Sequence, residues 1–164
     1  MTIALATDHA GYEQLLELQK YLTGLGHTCH NFGPTKLDPG DDYPDFISMA
    51  AKAVASGHCE AGVILGGSGQ GEAMAANRFK RVRCAVFYGP AVPKGVIDAE
   101  GSISHDPYEI IKLSRSHNNA NMLSLASRFV SFAEMKQVVK MWLDTPFSNA
   151  ERHTRRIRKL DQEI

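Results

Sequence analysis

A hydroxyl and a carboxylate set in a run of glycines, Gly66-Gly67-Ser68-Gly69-Gln70-Gly71-Glu72, follow directly on the apolar segment Gly62-Val63-Ile64-Leu65. Glycines at such a point let backbone N–H groups approach a ligand with no Cβ in the way, and the first turn of a following helix adds partial positive charge. The chemistry on offer is a cradle for an anion or oxyanion, with a general-base candidate, Glu72, at its rim. Better-known glycine loops do not fit. A dinucleotide fingerprint begun at Gly67 or Gly69 needs glycine where Glu72 or Met74 stands. A nucleotide P-loop needs its lysine at Glu72, where a carboxylate repels a triphosphate. A nucleophile elbow around Ser68 lacks its second glycine, replaced by Gln70. Glu72 alone would suit a solvated helix start; beside this loop a base is the better reading. Burial would raise its pKa and the helix dipole lower it, a balance the sequence leaves open. Ser68 suits a turn or the polarising of a carbonyl.

Three further groups carry reactive side chains. Asp8-His9 stands directly after an apolar run, as a helix cap and its neighbour or as a binder of hydroxyls or phosphate. His117, ahead of Asn118-Asn119-Ala120-Asn121, is a dipole partner at a helix end or, beside a carboxylate base, a proton donor. The C-terminal segment holds Arg152, His153, Arg155, Arg156, Arg158 and Lys159. Arg152 and Arg156 are four apart and share one helix face, while His153, Ile157, Leu160 and Ile164 line another. Two adjacent guanidinium groups suit a phosphate dianion. The chain carries 18 basic and 18 acidic residues, and no aromatic interleaves the cluster, so a monophosphate clamp is preferred to a nucleic-acid partner. His27, His30 and His58 lack a third ligand at persuasive spacing, and no metal or other cofactor is expected.

These residues need a scaffold. A length of 164 residues fits one domain, 1–164, with a substantial core. Short apolar runs at 3–6, 28–32, 63–65, 83–88 and 122–126 read as strands, the third and fourth flanking the glycine loop and its helix through Asn77. Leu15, Leu18, Leu22 and Leu25 recur at helical spacing before Gly24 and Gly26; Phe46, Met49, Ala50, Ala53 and Val54 mark a second helix, and Phe132, Met135, Val138, Val139 and Trp142 a later one. Ser148 with Glu151 forms a capping-box pattern for a last helix at about 148–162. Strands separated by helices demand a parallel sheet covered on both faces, hence a three-layer α/β/α sandwich around five parallel strands. Ligands of such sheets sit beyond the carboxyl ends of the strands. Asp8-His9-Ala10-Gly11, the glycine loop and Tyr88-Gly89-Pro90 are therefore expected to converge. Residues 90–107 read as a long surface loop, a decoration or a lid. No apolar run reaches a membrane span, the N-terminus lacks a signal-peptide pattern, and Cys29, Cys59 and Cys84 are isolated thiols; a cytoplasmic protein with no membrane partner is expected.

The set Asp8-His9-Ala10-Gly11, Asp42-Tyr43-Pro44, the glycine loop with Ala75-Ala76-Asn77-Arg78, His117-Asn118-Asn119-Ala120-Asn121 and Glu151-Arg152-His153-Thr154-Arg155-Arg156 resembles the ribose-5-phosphate isomerase B family, which includes galactose- and allose-6-phosphate isomerases. The resemblance spans nearly the full chain. It implies a Rossmann-like sandwich, a homodimer with active sites between subunits (a tetramer being the larger option), and metal-free interconversion of an aldose phosphate and a ketose phosphate. Many members use a cysteine just before the loop as base; that position here is Gly66. A subgroup similar to mycobacterial enzymes uses a glutamate at the position of Glu72. By resemblance Glu72 is the base and His117 the ring-opening proton donor; Asp8 and Asn118 hold hydroxyls, and the N–H groups of Gly67, Ser68, Gly69, Gln70 and Gly71 with the Ser68 hydroxyl hold the oxyanion. Arg152 and Arg156, reaching into the partner's site, bind phosphate with His9, and Tyr43 and Arg128 lie near the site. Ribose 5-phosphate is the leading substrate, a hexose 6-phosphate the alternative, and a non-catalytic sugar-phosphate binder the third reading. Residues 90–107 exceed the family pattern and leave substrate size open.

Overall fold

The computed structural model describes residues 1–162. In chain order it forms β1 (Thr2–Ala6), a 3-10 turn (His9–Gly11), α1 (Tyr12–Gly24), β2 (Thr28–Asn31), α2 (Tyr43–Ala55), β3 (Ala61–Gly66), α3 (Gln70–Ala76), β4 (Cys84–Phe87), α4 (Glu109–Ser116), β5 (Met122–Ala126), α5 (Phe132–Asp144) and α6 (Glu151–Leu160). The strands make one parallel sheet in the order β2-β1-β3-β5-β4. Alternation along the strands feeds two cores. Ile3, Leu5, Val63, Leu65, Leu123 and Leu125 face α1, α4 and α5, where Leu18, Ile111, Val138 and Trp142 are buried; Ala4, Ala6, Ile64 and Met122 face α2 and α3. The alanines let α2, with its own Ala50 and Ala51, sit close to the sheet. The three layers and five parallel strands are those expected.

Differences from the expected elements have local causes. In α2 Ile47, Ala50, Ala51 and Val54 form a buried i, i+3, i+4, i+7 stripe with Ala53 buried beside it, and Met49 is 45 % exposed on the flank. Leu25 lies past the end of α1 and is 43 % exposed, whereas Leu15, Leu18 and Leu22 are buried. The Ser148–Glu151 capping box does not form, because α6 starts after Ala150 and the Ser148 hydroxyl lies 2.9 Å from His153 Nδ1, satisfying a buried imidazole. On the apolar face expected for that helix His153 is buried and Ile157 half-buried, but Leu160 is 67 % exposed; Ile164 falls outside the described residues. Helix α6 makes little contact with the other helices and strands, and is held instead through loop residues such as Glu100 and Ser148. Among the described residues no helix is long and apolar enough to cross a membrane.

The strand order decides which loops meet. The chain leaves β1 toward β2 on one side, and β3 lies on the other side of β1, so the crevice between their carboxyl ends is a topological switch point. Register pairs Ala6 with Ile64 and Gly66 with Ala126, which brings the segments after β1, β3 and β5 to one level. Leu22→Ala, fully buried in α1, is expected to cost about 2–5 kcal/mol in urea unfolding, whereas Leu25→Ala should shift stability by no more than about 0.5 kcal/mol.

Candidate active site

Glu72 lies in the first turn of α3, a helix entered through Gly69 in the left-handed region at φ 73°, and is only 5 % exposed. Its carboxylate lies over Gly66. A Cβ built on Gly66 would fall 1.9 Å from both Cδ and Oε1 of Glu72, so the carboxyl group occupies the volume that any side chain at position 66 would need. Burial raises the Glu72 pKa, its own backbone N–H lowers it, and the nearby Asp8 charge raises it again, with a net upward result. The balance left open by the sequence is thus settled toward a base poised nearer neutrality. Cys84, close enough to feel the Glu72 charge, is pushed strongly upward, chiefly by burial, which disfavours its thiolate.

A cleft of about 550 Å³ opens beside this carboxylate, lined by Asp8, His9, Tyr43, Gly67, Ser68, Gly71 and Arg128 among others. Asp8 caps the 3-10 turn, its Oδ1 accepting from Ala10 N at 2.9 Å, and so holds its position after β1. His9 Nδ1 lies 2.8 Å from Asp41 Oδ1, which also accepts the His9 backbone N–H at 3.0 Å. The bond to Asp41 raises the His9 pKa against desolvation, with Asp8 adding to the rise and Arg128 opposing it. A carboxylate-held imidazole, its Nε2 left for a ligand, suits an anion. Arg128 follows β5, and its guanidinium lies over Gly67, about 3.3 Å from where a Cβ would be. In the loop, Gln70 N–H donates to Ser68 Oγ at 3.3 Å, the Gln70 side chain is exposed and Gly69 is buried, so these two do not line the cleft as expected.

Asp41 escaped the sequence reading although it immediately precedes the quoted Asp42-Tyr43-Pro44. Its carboxylate, 32 residues from His9, meets the imidazole only through the fold. Asp8, His9 and Asp41 bring one donor atom each within 4.8 Å, a spacing that would also hold a cation. His30 and His58, weighed as ligands, instead pack edge to face at 5.1 Å.

Other expected residues lie elsewhere. Tyr88 does not reach the cleft and is 60 % exposed, because β5 lies between β3 and β4 and places Ser127, Arg128 and Phe129 beside the glycine loop instead. His117, just past the C-terminal end of α4, Arg152 and Arg156 share a separate cavity of about 240 Å³ with Ile97, Asp98 and His153. The His117 and His153 rings stand 4.2 Å apart. Burial lowers the His153 pKa, as do the charges of His117, Arg152 and Arg156. Asn118 is exposed, its carbonyl accepting from Arg83 Nε at 3.1 Å, and it borders a third groove. Within this chain, therefore, Glu72 and the His117–arginine group line different cavities.

The profile of the Ribose/Galactose Isomerase family matches residues 3–99 and 94–160, two stretches that overlap in the connection between β4 and α4. The chain belongs to this family. Ribose-5-phosphate isomerase B of Mycobacterium tuberculosis is 34 % identical over 157 residues, 96 % of this chain and 86 % of that protein. The solved structure of Clostridium thermocellum ribose-5-phosphate isomerase B superposes with a TM-score of 0.83 at 31 % identity, covering 98 % of this chain and 95 % of that one. The Mycoplasma genitalium enzyme with bound ribulose-5-phosphate also gives 0.83 at 31 % identity, with coverage of 98 % and 93 %.

Two outcomes follow from this geometry. Gly66→Ala should leave the fold intact by circular dichroism, since the atom displaced is the end of a flexible side chain, but lower kcat/KM at least about tenfold by moving the Glu72 carboxylate. Because Asp41 raises the His9 pKa, the pair stabilises the fold fully below the ordinary histidine value, and that contribution is lost as pH rises through the raised one. Asp41→Asn should shift the His9 imidazole titration downward by NMR; an unmoved titration would contradict the assigned partner.

Proposed function

We infer that this protein is an aldose–ketose isomerase interconverting ribose 5-phosphate and ribulose 5-phosphate. The observation that carries this reading is the buried Glu72 carboxylate, raised in pKa and seated over Gly66 beside a glycine loop, in a member of this family. In the proposed scheme Glu72 removes the C2 proton of the open-chain aldose and returns it to C1, passing through an enediolate. Ser68 and loop N–H groups hold the developing oxyanion; donors of this kind are typically worth about 3–4 kcal/mol each. His117 donates the proton that opens the sugar ring, and Asp8 and Asn118 hold hydroxyls. Arg152 and Arg156 bind the phosphate with His9, so that remote binding energy positions the reacting carbons.

One site built this way needs groups from both cavities. We read the two as halves completed across a homodimer, Glu72 from one protomer and His117 with the arginines from its partner. Two features support this: the separation of the cavities within one chain, and the small contact of α6 with the other helices and strands.

Purified protein should convert ribose 5-phosphate without added metal and act more slowly on allose or galactose 6-phosphate; a higher kcat/KM on the six-carbon esters would reassign the substrate. Glu72→Gln should lower kcat by about 10²–10⁴ while leaving phosphate-ester binding. Between the ordinary glutamate value and the raised one, the folded state keeps a proton that the unfolded chain releases, so Glu72 costs stability as pH rises through that window. Glu72→Gln should therefore raise Tm at neutral pH, and an active Glu72→Gln enzyme would rule out this base. Mixing Glu72→Gln with Arg152→Ala/Arg156→Ala protein should restore activity if sites are shared, and no recovery after confirmed subunit exchange would place each site within one chain.

A further inference from the structure

The connection between β4 and α4 does not hang free of the arginines; it closes on one of them. Asp98 Oδ1 accepts the backbone N–H groups of Glu100 at 3.0 Å and Ser102 at 2.9 Å, and Ile97 N–H donates to Ser102 O at 2.9 Å, a turn that presents Glu100 outward. Glu100 then takes Arg152 with both oxygens, Oε1 from Nη1 at 2.5 Å and Oε2 from Nη2 at 3.0 Å. The third Arg152 nitrogen, Nε, donates to His153 Nε2 at 3.2 Å. Both terminal nitrogens are thus engaged by a planar two-oxygen anion, the same geometry in which a guanidinium binds phosphate. Asp98 adds a second negative charge to the cavity that also holds Arg156 and His117. Pairing with Arg152 holds the Glu100 carboxyl below its ordinary range.

We propose that Glu100 is a specificity-determining residue: an internal carboxylate that occupies the Arg152 fork and must be displaced by the phosphate of an incoming sugar phosphate. The proposal rests on the reading of Arg152 as a phosphate ligand. One guanidinium edge holds one bidentate anion at a time, so Glu100 competes with phosphate and raises the concentration of substrate needed. Displacement is feasible because the Glu100 side chain is 62 % exposed on a surface turn, and an exposed pair is weak enough to yield. A phosphate dianion, able to engage Arg156 as well, outcompetes the carboxylate. A singly charged sugar acid does so less well, and the site thereby selects for the phosphate monoester.

The test uses the full-length protein, with ribose 5-phosphate kinetics and titration with inorganic phosphate followed by calorimetry, which reads binding whether or not turnover is seen. Glu100→Ala should lower both the KM and the phosphate Kd by about two- to fivefold with kcat little changed, and Glu100→Gln, unable to hold the fork with two acceptor oxygens, should follow in the same direction. In an Arg152→Ala background the Glu100→Ala change should have no effect on either constant. Unchanged or raised constants in Glu100→Ala, with Arg152→Ala alone weakening phosphate binding, would overturn the role of Glu100 and keep the clamp. Phosphate binding unaffected by Arg152→Ala would instead overturn the clamp itself.

Discussion

The Glu72 carboxyl group and the missing side chain of Gly66 occupy the same space, and the site is organised around that exclusion. With no atom beyond Cα at position 66, the carboxylate folds back over the end of β3 and is taken out of water. Desolvation then outweighs the stabilisation from the N-terminal backbone of α3, and a group that would be an ordinary acidic glutamate on a surface helix has its pKa raised. The left-handed turn at Gly69 aims the chain so that the first turn of α3 lies over its own strand. Packing, acidity and loop geometry are one feature here, since altering any of them moves the carboxylate.

Around that point the parallel sheet acts as a sorting device. Adjacent strands deliver adjacent loops, and the order β2-β1-β3-β5-β4 makes neighbours of Asp8-His9, the glycine loop and Arg128 while exiling Tyr88 to the edge. Charge is sorted as well. A chain with no net charge concentrates acid and base into small opposed groups: Glu72 and Asp8 share one cleft with Arg128 and with His9, which Asp41 grips, while Asp98 shares another with Arg156 and with Arg152, which Glu100 grips. Local fields of this kind, in partly buried clefts, act on a ligand far more strongly than the vanishing global charge.

Much of the fold was legible along the chain because its signals are local. Short apolar runs and helical recurrence such as that in α1 and α5 located all five strands and most helices, and the glycine loop fell where a strand becomes a helix. Errors arose where a local pattern met a distant demand. Ser148 looks like a cap until the buried His153 three-dimensionally claims its hydroxyl, and Met49 looks like core until Ile47 and Ala51 define the face that meets the sheet.

By itself the sequence determined the alternation of elements and the identity of the loop and carboxylate on which chemistry could rest, because periodicity, glycine and helix starts are properties of neighbouring residues. Only the tertiary structure decided that β5 separates β3 from β4, that Asp41 grips His9 from 32 residues away, and that Glu100 lies on Arg152 from 52 residues away. Those pairings depend on how strands are ordered and loops returned, and strand order is set by the summed packing of both sheet faces rather than by any short stretch of chain. The pKa of Glu72 belongs to the same class: its residue type and place were visible in the sequence, but the burial that raises it comes from the fold.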